Sequence, residues 1–447
     1  MGWFLPEQKT NIPPVVRTPP LELTMDMRLE YRCRIFRARF APSPSRISWY
    51  SSSLLAALVV LLSSCAVLPR LEAVPASLTE QATVPGFPDS RRWLDGDMAP
   101  FVKLATADFA RERRALEQQG LPVEPMPPIN FLAISGGGDK GAFAAGVLAG
   151  WTASGQRPAF RVVTGVSAGA LIAPFAYLGP EYDAIVRQVA TSIGPGDVFK
   201  PRSRLGGLLS DGMSTSAPLR RLVGKYVTSD LLAQIAKEYD KGRALEIATT
   251  DLDAGRQVIW NMGAIASSGK PGALDLFRNI MIASISIPGA VSPVMIDVEA
   301  DGKRYQEMHV DGGVIAQLFT YPPRAVAALE KATGKPLNRS LRVYVIRNGR
   351  LDPDWTDTPR RTLAIGRRAI DSLVQAEGVE DVRRTYRIAS QDQADFNLAY
   401  IAPDFADAKH QMFESSYMNA LFDYGYRLSR DGAVWHKAPP EELDTTH

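Results

Sequence analysis

Ile129-Asn130-Phe131-Leu132-Ala133-Ile134-Ser135-Gly136-Gly137-Gly138-Asp139-Lys140-Gly141 is the stretch that decides the fold. Its apolar opening predicts a strand, its glycines a tight turn, and Gly141–Ala153 beyond it reads as a helix. The same grammar returns at once. Phe160-Arg161-Val162-Val163-Thr164 predicts a second strand, which runs through Gly165-Val166-Ser167-Ala168-Gly169 into a helix over Ala168–Tyr177. Strand, glycine turn and helix, twice over, is how a parallel sheet is built.

Outward from there the alternation continues. Strands are expected at Leu245–Thr250, Gln257–Asn261 and Leu341–Arg347, and helices at Ala217–Val223, Leu231–Lys241, Leu274–Ala283 and Pro322–Thr333. Asp211–Ser216 reads as an exposed loop near a site entrance. The expectation is an α/β fold with a largely parallel central sheet and helices on both faces. Residues 129–350 form the catalytic domain on this reading. Residues 351–447 supply closing elements packed on the same core: helices at Thr362–Val382 and Met412–Leu428, and a strand at Phe396–Ile401. Residues 65–128 are rich in proline and predict a tether carrying one helix, Ala105–Gln119.

The two turns divide one chemical task. The first offers bare backbone N–H groups at Gly136, Gly137 and Gly138; the second presents the Ser167 hydroxyl on a sharp strand-to-helix bend. An oxyanion hole and a nucleophile are what acyl transfer needs most. Gly136, Gly138 and Gly141 also satisfy a dinucleotide-binding spacing, which calls for an acidic residue about 20 positions on, at the end of the second strand. Here that strand runs into the serine turn with no carboxylate in place, so the nucleotide reading falls.

Serine needs a base. The four histidines are His309, His410, His436 and His447. His410 and His436 lie late, where a Ser-His-Asp esterase would carry its histidine, but neither has a context that marks it. Asp311, before Gly312-Gly313, is the other candidate: a carboxylate bonded directly to serine is itself a general base. Read alone, Asp-Gly-Gly favours a surface turn; its occurrence with the other two motifs favours the base. His309, two residues earlier on the same strand face, either tunes Asp311 or is packed for structure.

Taken in order, Gly136-Gly137-Gly138-Asp139-Lys140-Gly141, Gly165-Val166-Ser167-Ala168-Gly169 and Asp311-Gly312-Gly313 resemble the patatin-like phospholipases. Thr249-Thr250-Asp251-Leu252, Ala283-Ser284, Pro288-Gly289 and Ser292-Pro293-Val294 add to the likeness, which covers about residues 129–330. The resemblance implies a lipid acyl hydrolase, of phospholipase or lysophospholipase type, with Ser167 as nucleophile and Asp311 as base. Gly136, Gly137 and Gly138 would frame the oxyanion hole, and the substrate would be a phospholipid or another acyl lipid. Lys140 steadies that loop, attracts a phosphate, or is a solvated lysine at a helix start. The alternative is an envelope lipoprotein in which the same fold mainly binds or assembles.

The N-terminal region reads as a leader. Basic residues from Arg28 to Arg46 precede the apolar run Leu54–Leu62, too short to span a bilayer but suited to a signal peptide. It ends Leu62-Ser63-Ser64-Cys65, which resembles a bacterial lipoprotein cleavage box. Residues 1–64 would then be removed, and Cys65 would be lipidated and tie the protein to a membrane of the bacterial cell envelope. Ala66, where an inner-membrane retention signal would put aspartate, points to the outer membrane. The other reading is a short buried helix ending in a free cysteine.

Composition narrows the class further. The net charge of +3 comes from residues 1–64, with eight Lys or Arg against four Asp or Glu; the remaining 43 basic and 44 acidic residues balance. No basic surplus is left for nucleic acid. With four histidines and two cysteines, no clustered metal-ligand pattern is present, and no cofactor is expected.

Overall fold

The computed structural model describes residues 68–203, 210–353, 355–406 and 410–443. The leader 1–64 and Cys65 lie outside the described residues. Nine strands run β1 (Arg91–Trp93), β2 (Ile129–Ile134), β3 (Val162–Val166), β4 (Ala244–Asp251), β5 (Arg256–Asn261), β6 (Val294–Ala300), β7 (Lys303–Asp311), β8 (Leu341–Arg347) and β9 (Asp395–Tyr400). The longer helices are α1 (Met98–Gln118), α2 (Gly141–Ala153), α3 (Ala168–Leu178), α4 (Asp183–Thr191), α5 (Ala217–Tyr226), α6 (Ser229–Asp240), α7 (Ala273–Ser284), α8 (Ala325–Thr333), α9 (Thr362–Gln391) and α10 (Ser415–Arg430).

All nine strands belong to one sheet, along which β1-β5-β4-β3-β2-β8-β9 are neighbours. The five strands β4-β3-β2-β8-β9 are mutually parallel, and β1, β5, β6 and β7 join antiparallel. Alternate residues of the central strands serve opposite faces, as strand geometry requires. Leu132, Ile134, Ile346 and Ala399 pack with α2, α3 and α10 on one side. Phe131, Ala133, Val343, Val345 and Leu398 pack with α8 and α9 on the other. The fold is thus the expected α/β one, with a mostly parallel sheet covered on both faces. No helix among the described residues is long and apolar enough to cross a membrane.

Several local outcomes differ from the sequence reading. Residues 74–93 are docked rather than a free tether: Val74, Ala82, Val84 and Trp93 are buried in the main core, and β1 extends the sheet at β5. Proline there shapes a path over the surface instead of freeing the chain. The β6–β7 hairpin was not among the expected strands, although its signal is present. Val294, Ile296, Val298 and Ala300 alternate with exposed or half-buried residues, and Asp301-Gly302 forms the turn at φ 48° and 70°. Finally, β3 continues through Gly165 to Val166, two residues beyond the expected end. The loop at Asp211–Ser216 is pinned as well: Met213 N–H donates to Gly289 O, Ser214 N–H donates to Ala290 O, and Ser214 is buried.

Candidate active site

One edge of β4 brings the two key side chains together. Along that edge β4 pairs first with β3, up to Val166 beside Ala248, and then with β7, from Asp311 beside Thr249. β3 is parallel to β4 and β7 antiparallel, so the two strands approach end to end. The residue after the last of β3 is Ser167; the last of β7 is Asp311. Residues 144 positions apart in sequence therefore meet, with Ser167 Oγ donating to Asp311 Oδ2 at 2.6 Å. They meet at the C-terminal ends of parallel strands, where α/β sheets open their crevices.

Ser167 has φ 53° and ψ −120°, a strained backbone at the sharp strand-to-helix turn, and caps α3. Its N–H donates to the buried Ser284 Oγ at 3.0 Å, which leaves the side chain as its free functional group. Asp311 is buried. Its second oxygen accepts the Gly313 N–H at 2.8 Å, and its own N–H donates to Ser286 O at 2.9 Å. Burial pushes the carboxyl up to about 6, against the opposing pull of the Ser167 hydroxyl and the Gly313 N–H. The carboxylate is thus ionised at neutral pH yet more basic than an exposed aspartate.

The glycine loop after β2 lies against this pair: a Cβ on Gly136 would come within 3.2 Å of Ser167 Cβ. Its three glycines are not equivalent. Gly136 N–H donates to Gln317 O at 2.9 Å, so Gly136 is not an available oxyanion donor, contrary to the sequence reading. The N–H groups of Gly137 and Gly138 have no acceptor among the described residues. Gly137 takes φ 155° and sits so close to Asn348 that a Cβ would fall 2.3 Å from its carbonyl oxygen. Lys140 N–H closes the turn onto Gly137 O at 3.2 Å, which makes Lys140 a brace of the loop through its backbone. Asp139 is buried and ties the loop to the segment before α10, accepting from Phe413 N–H at 2.9 Å.

Three supporting residues were not assigned from sequence. The Gln317 side chain donates to Gly313 O at 2.7 Å while its carbonyl holds Gly136, so it couples the glycine loop to the turn after Asp311. Asp381, buried on α9, accepts the N–H groups of Gln317 and Leu318 at 2.6 and 3.2 Å. Burial pushes its carboxyl up to about 6, with Arg384 and those two N–H groups pulling the other way. Asn348, after β8, receives the Ser135 hydroxyl region: its N–H donates to Ser135 Oγ and its side-chain amide to Ser135 O, both at 2.8 Å. No local motif announces these residues, because their role arises only where separate segments meet. Ser284 is the exception, since the Ala283-Ser284 pair was visible as part of the resemblance.

The three described histidines, His309, His410 and His436, are engaged elsewhere. Trp260 Nε1 donates to Thr249 Oγ1 at 2.7 Å, and Thr249 Oγ1 lies 2.8 Å from His309 Nδ1. His309 Nε2 faces Glu307 at 3.1 Å, and Glu307 also pairs with Arg91. With Thr249 donating to Nδ1 and Nε2–H donating to Glu307, both ring nitrogens are committed. His309 is therefore a packed structural histidine. Burial would raise the Glu307 carboxyl, but His309 and Arg91 together hold it down to about 2. His410 stacks on Tyr417 and lies 3.5 Å from Asp139, and His436 pairs with β9 at Leu398. Among the described residues Asp311 is the one side chain hydrogen-bonded to Ser167 Oγ.

A patatin-like phospholipase family model matches residues 132–322. Those residues match a patatin-like phospholipase domain. The matched span of this domain opens in β2, contains the glycine loop and the Ser167 elbow, and closes just past Asp311 and Gln317. Among solved structures, VipD from Legionella pneumophila is 10% identical over 68% of this chain and 67% of its own, with a TM-score of 0.33. The complex of SpcU with ExoU from the type III secretion system of Pseudomonas aeruginosa gives 16% identity and a TM-score of 0.23. That alignment covers 58% of this chain and about half, 53%, of the other. Neither likeness is strong enough to bear on activity. No curated protein matches the sequence.

A cavity of about 90 Å³ is lined by Ile129, Val162, Ala244 and Leu341 under α1. These residues begin their strands, so it lies at the end of the sheet opposite Ser167 and Asp311.

Proposed function

We propose that the patatin-like domain hydrolyses carboxylic esters of phospholipids or related acyl lipids through a Ser167–Asp311 dyad. The observation that carries this reading is the 2.6 Å contact between Ser167 Oγ and a buried carboxylate, next to a glycine loop in which two backbone N–H groups have no acceptor among the described residues. Ser167 Oγ attacks the ester carbonyl as its proton passes to Asp311 Oδ2. The tetrahedral oxyanion accepts from the N–H groups of Gly137 and Gly138, each worth about 3 kcal/mol of transition-state stabilisation. Collapse expels the alcohol, which takes the proton from Asp311 and leaves an acyl-serine. Asp311 then draws a proton from water, hydroxide adds to the acyl group, and the fatty acid leaves as Ser167 recovers its hydrogen.

The test is release of fatty acid from a lysophospholipid by the wild-type chain, absent from Ser167→Ala. Its pH dependence adds a sharper mark. Asp311 must be ionised to act, and its carboxyl titrates at about 6, so kcat/KM should be flat above that pH and fall roughly tenfold per unit below it. Asp381 titrates in the same range but only braces Gln317. Asp381→Asn should cost about tenfold in kcat, as a charge-assisted pair of N–H bonds weakens, without moving the acid limb. Loss of that limb in Asp381→Asn would assign the titration to the wrong carboxylate.

We further propose that Cys65 is lipidated after removal of residues 1–64 and holds the enzyme at the envelope membrane, where its substrate lies. Its support is the Leu62-Ser63-Ser64-Cys65 sequence after a basic, then apolar, leader. Cys65→Ala expressed in a bacterial host should lose incorporated fatty acid and detergent-phase partitioning. Retention of both would exclude this anchor.

A further inference from the structure

α9 buries only its second half. Gly378, Asp381, Val382, Thr385 and Ala389 are buried against β8, β9 and the Gln317 turn, whereas no described side chain between Thr362 and Glu377 is buried. At 100° per residue, Ile365, Ala369, Ile370, Leu373 and Ala376 fall on one half of this overhanging stretch. Arg367, Arg368, Asp371 and Gln375 fall on the other. The polar half is the one that meets the protein: Gln375 Nε2 donates to Arg350 O at 2.8 Å. The apolar half is left to solvent, with Ile365 53%, Ile370 62% and Leu373 70% exposed. Just before the helix, Trp355 is 86% exposed.

An amphipathic helix on a folded domain ordinarily turns its apolar side inward. Among the described residues nothing covers Ile370, Leu373 and Trp355. The surrounding charge identifies what would cover them. Residues 355–374 contain Arg360, Arg361, Arg367 and Arg368 against Asp357 and Asp371, and Arg360 and Arg361 are exposed beside Trp355 at the helix start. A second copy of this chain would bring Arg360 and Arg361 against their own counterparts. An anionic lipid surface fits every part: aliphatic side chains for the acyl boundary, tryptophan for the interface, and guanidinium groups for phosphate.

We propose that Trp355 and the first half of α9 form a docking surface for an anionic lipid bilayer, with Ile365, Ile370 and Leu373 entering the interface. The segment is fastened at both ends to groups around Ser167. Asn348 abuts Gly137 before it, and Asp381 holds the Gln317 backbone after it. Docking would thus fix the glycine loop's scaffold at the surface that holds lipid. This surface is separate from the Cys65 anchor and does not depend on ester hydrolysis.

The test uses the full chain carrying Cys65→Ala and Ser167→Ala, so that neither acylation nor turnover contributes. Co-sedimentation is measured with vesicles of phosphatidylglycerol and phosphatidylcholine, and with phosphatidylcholine alone. Adding Ile370→Ser with Leu373→Ser should weaken partitioning to the anionic vesicles at least about tenfold, since each removes a large apolar side chain from the interface. Arg360→Gln with Arg361→Gln should weaken binding to anionic vesicles only. All four positions are exposed, and unchanged circular dichroism and melting would show that the fold is intact. Undiminished partitioning of the serine variant, or equal binding of the parent to both vesicle types, would overturn the proposal. So would a dimer in sedimentation that the serine substitutions dissolve, which would give the face to a second copy.

Discussion

Asp311→Asn is expected to abolish turnover and raise the melting temperature together. The activity loss should reach at least about 10⁴-fold in kcat, because nucleophile activation and water activation both run through one carboxylate. The stability gain follows from the same burial. The Asp311 carboxyl sits at about 6 in the folded chain, against an ordinary value of 3.8. A raised carboxyl pKa favours the protonated folded state, so the associated stability is present below pH 3.8 and is lost as pH rises through 6. At pH 7 the wild type therefore bears the full cost of an ionised buried group, on the order of 2–3 kcal/mol. Asparagine keeps the shape, removes the charge and should melt a few degrees higher. The decline in melting temperature expected of the wild type between pH 4 and 7 should also be smaller in the variant by Asp311's share, Asp381 keeping its own. An inactive variant that melts lower would mean that the carboxylate is structural rather than catalytic.

Gly137→Ala should be nearly as damaging, for a steric reason. The added Cβ would lie 2.3 Å from the carbonyl oxygen of Asn348 and 2.7 Å from its Cβ. The backbone and Cβ of Asn348, itself held by two hydrogen bonds to Ser135, leave the loop no room, so the N–H groups of Gly137 and Gly138 must turn away from the dyad. Loss of one oxyanion donor costs about 10²–10³ in kcat, and displacement of both should exceed that. Gly138→Ala is the control. Nothing lies within 4 Å of its Cβ, and only its φ of 61° opposes the substitution, at about 1–2 kcal/mol. Steady-state kinetics beside thermal melts would separate the two. Equal activity in Gly137→Ala and Gly138→Ala would remove the oxyanion role from this loop.

What the sequence made legible was chemistry confined to a few adjacent residues. Strand, glycine turn and helix at Ile129–Ala153 and again around Ser167 are local patterns, and β2, β8 and α2 have the boundaries expected of them. Asp311 was readable because two glycines follow it. Its burial was not, since that depends on β7 continuing the line of β3 along β4, a register set by pairing between distant strands. Gly136 illustrates the same limit. Three consecutive glycines look alike in sequence, and only the Gln317 carbonyl, supplied from beyond β7, removes one of them as a donor. Asp381 and Asn348 lie outside every motif and act through bonds that exist only once β8 and α9 are packed. The proline-rich segment misleads for a related reason: composition reports a chain without regular structure, not one without a docking place, and Val74 and Val84 find theirs in the core.

The central claim is that Ser167 is a nucleophile activated by Asp311 and by no histidine. The most direct measurement is the rate at which a fluorophosphonate labels the chain, with the adduct located by peptide mass. The account predicts a single adduct on Ser167, formed at an unchanged rate in His410→Ala and His436→Ala and slowed at least about a thousandfold in Asp311→Asn. An adduct elsewhere, or labelling that survives Asp311→Asn and fails in a histidine variant, would contradict it.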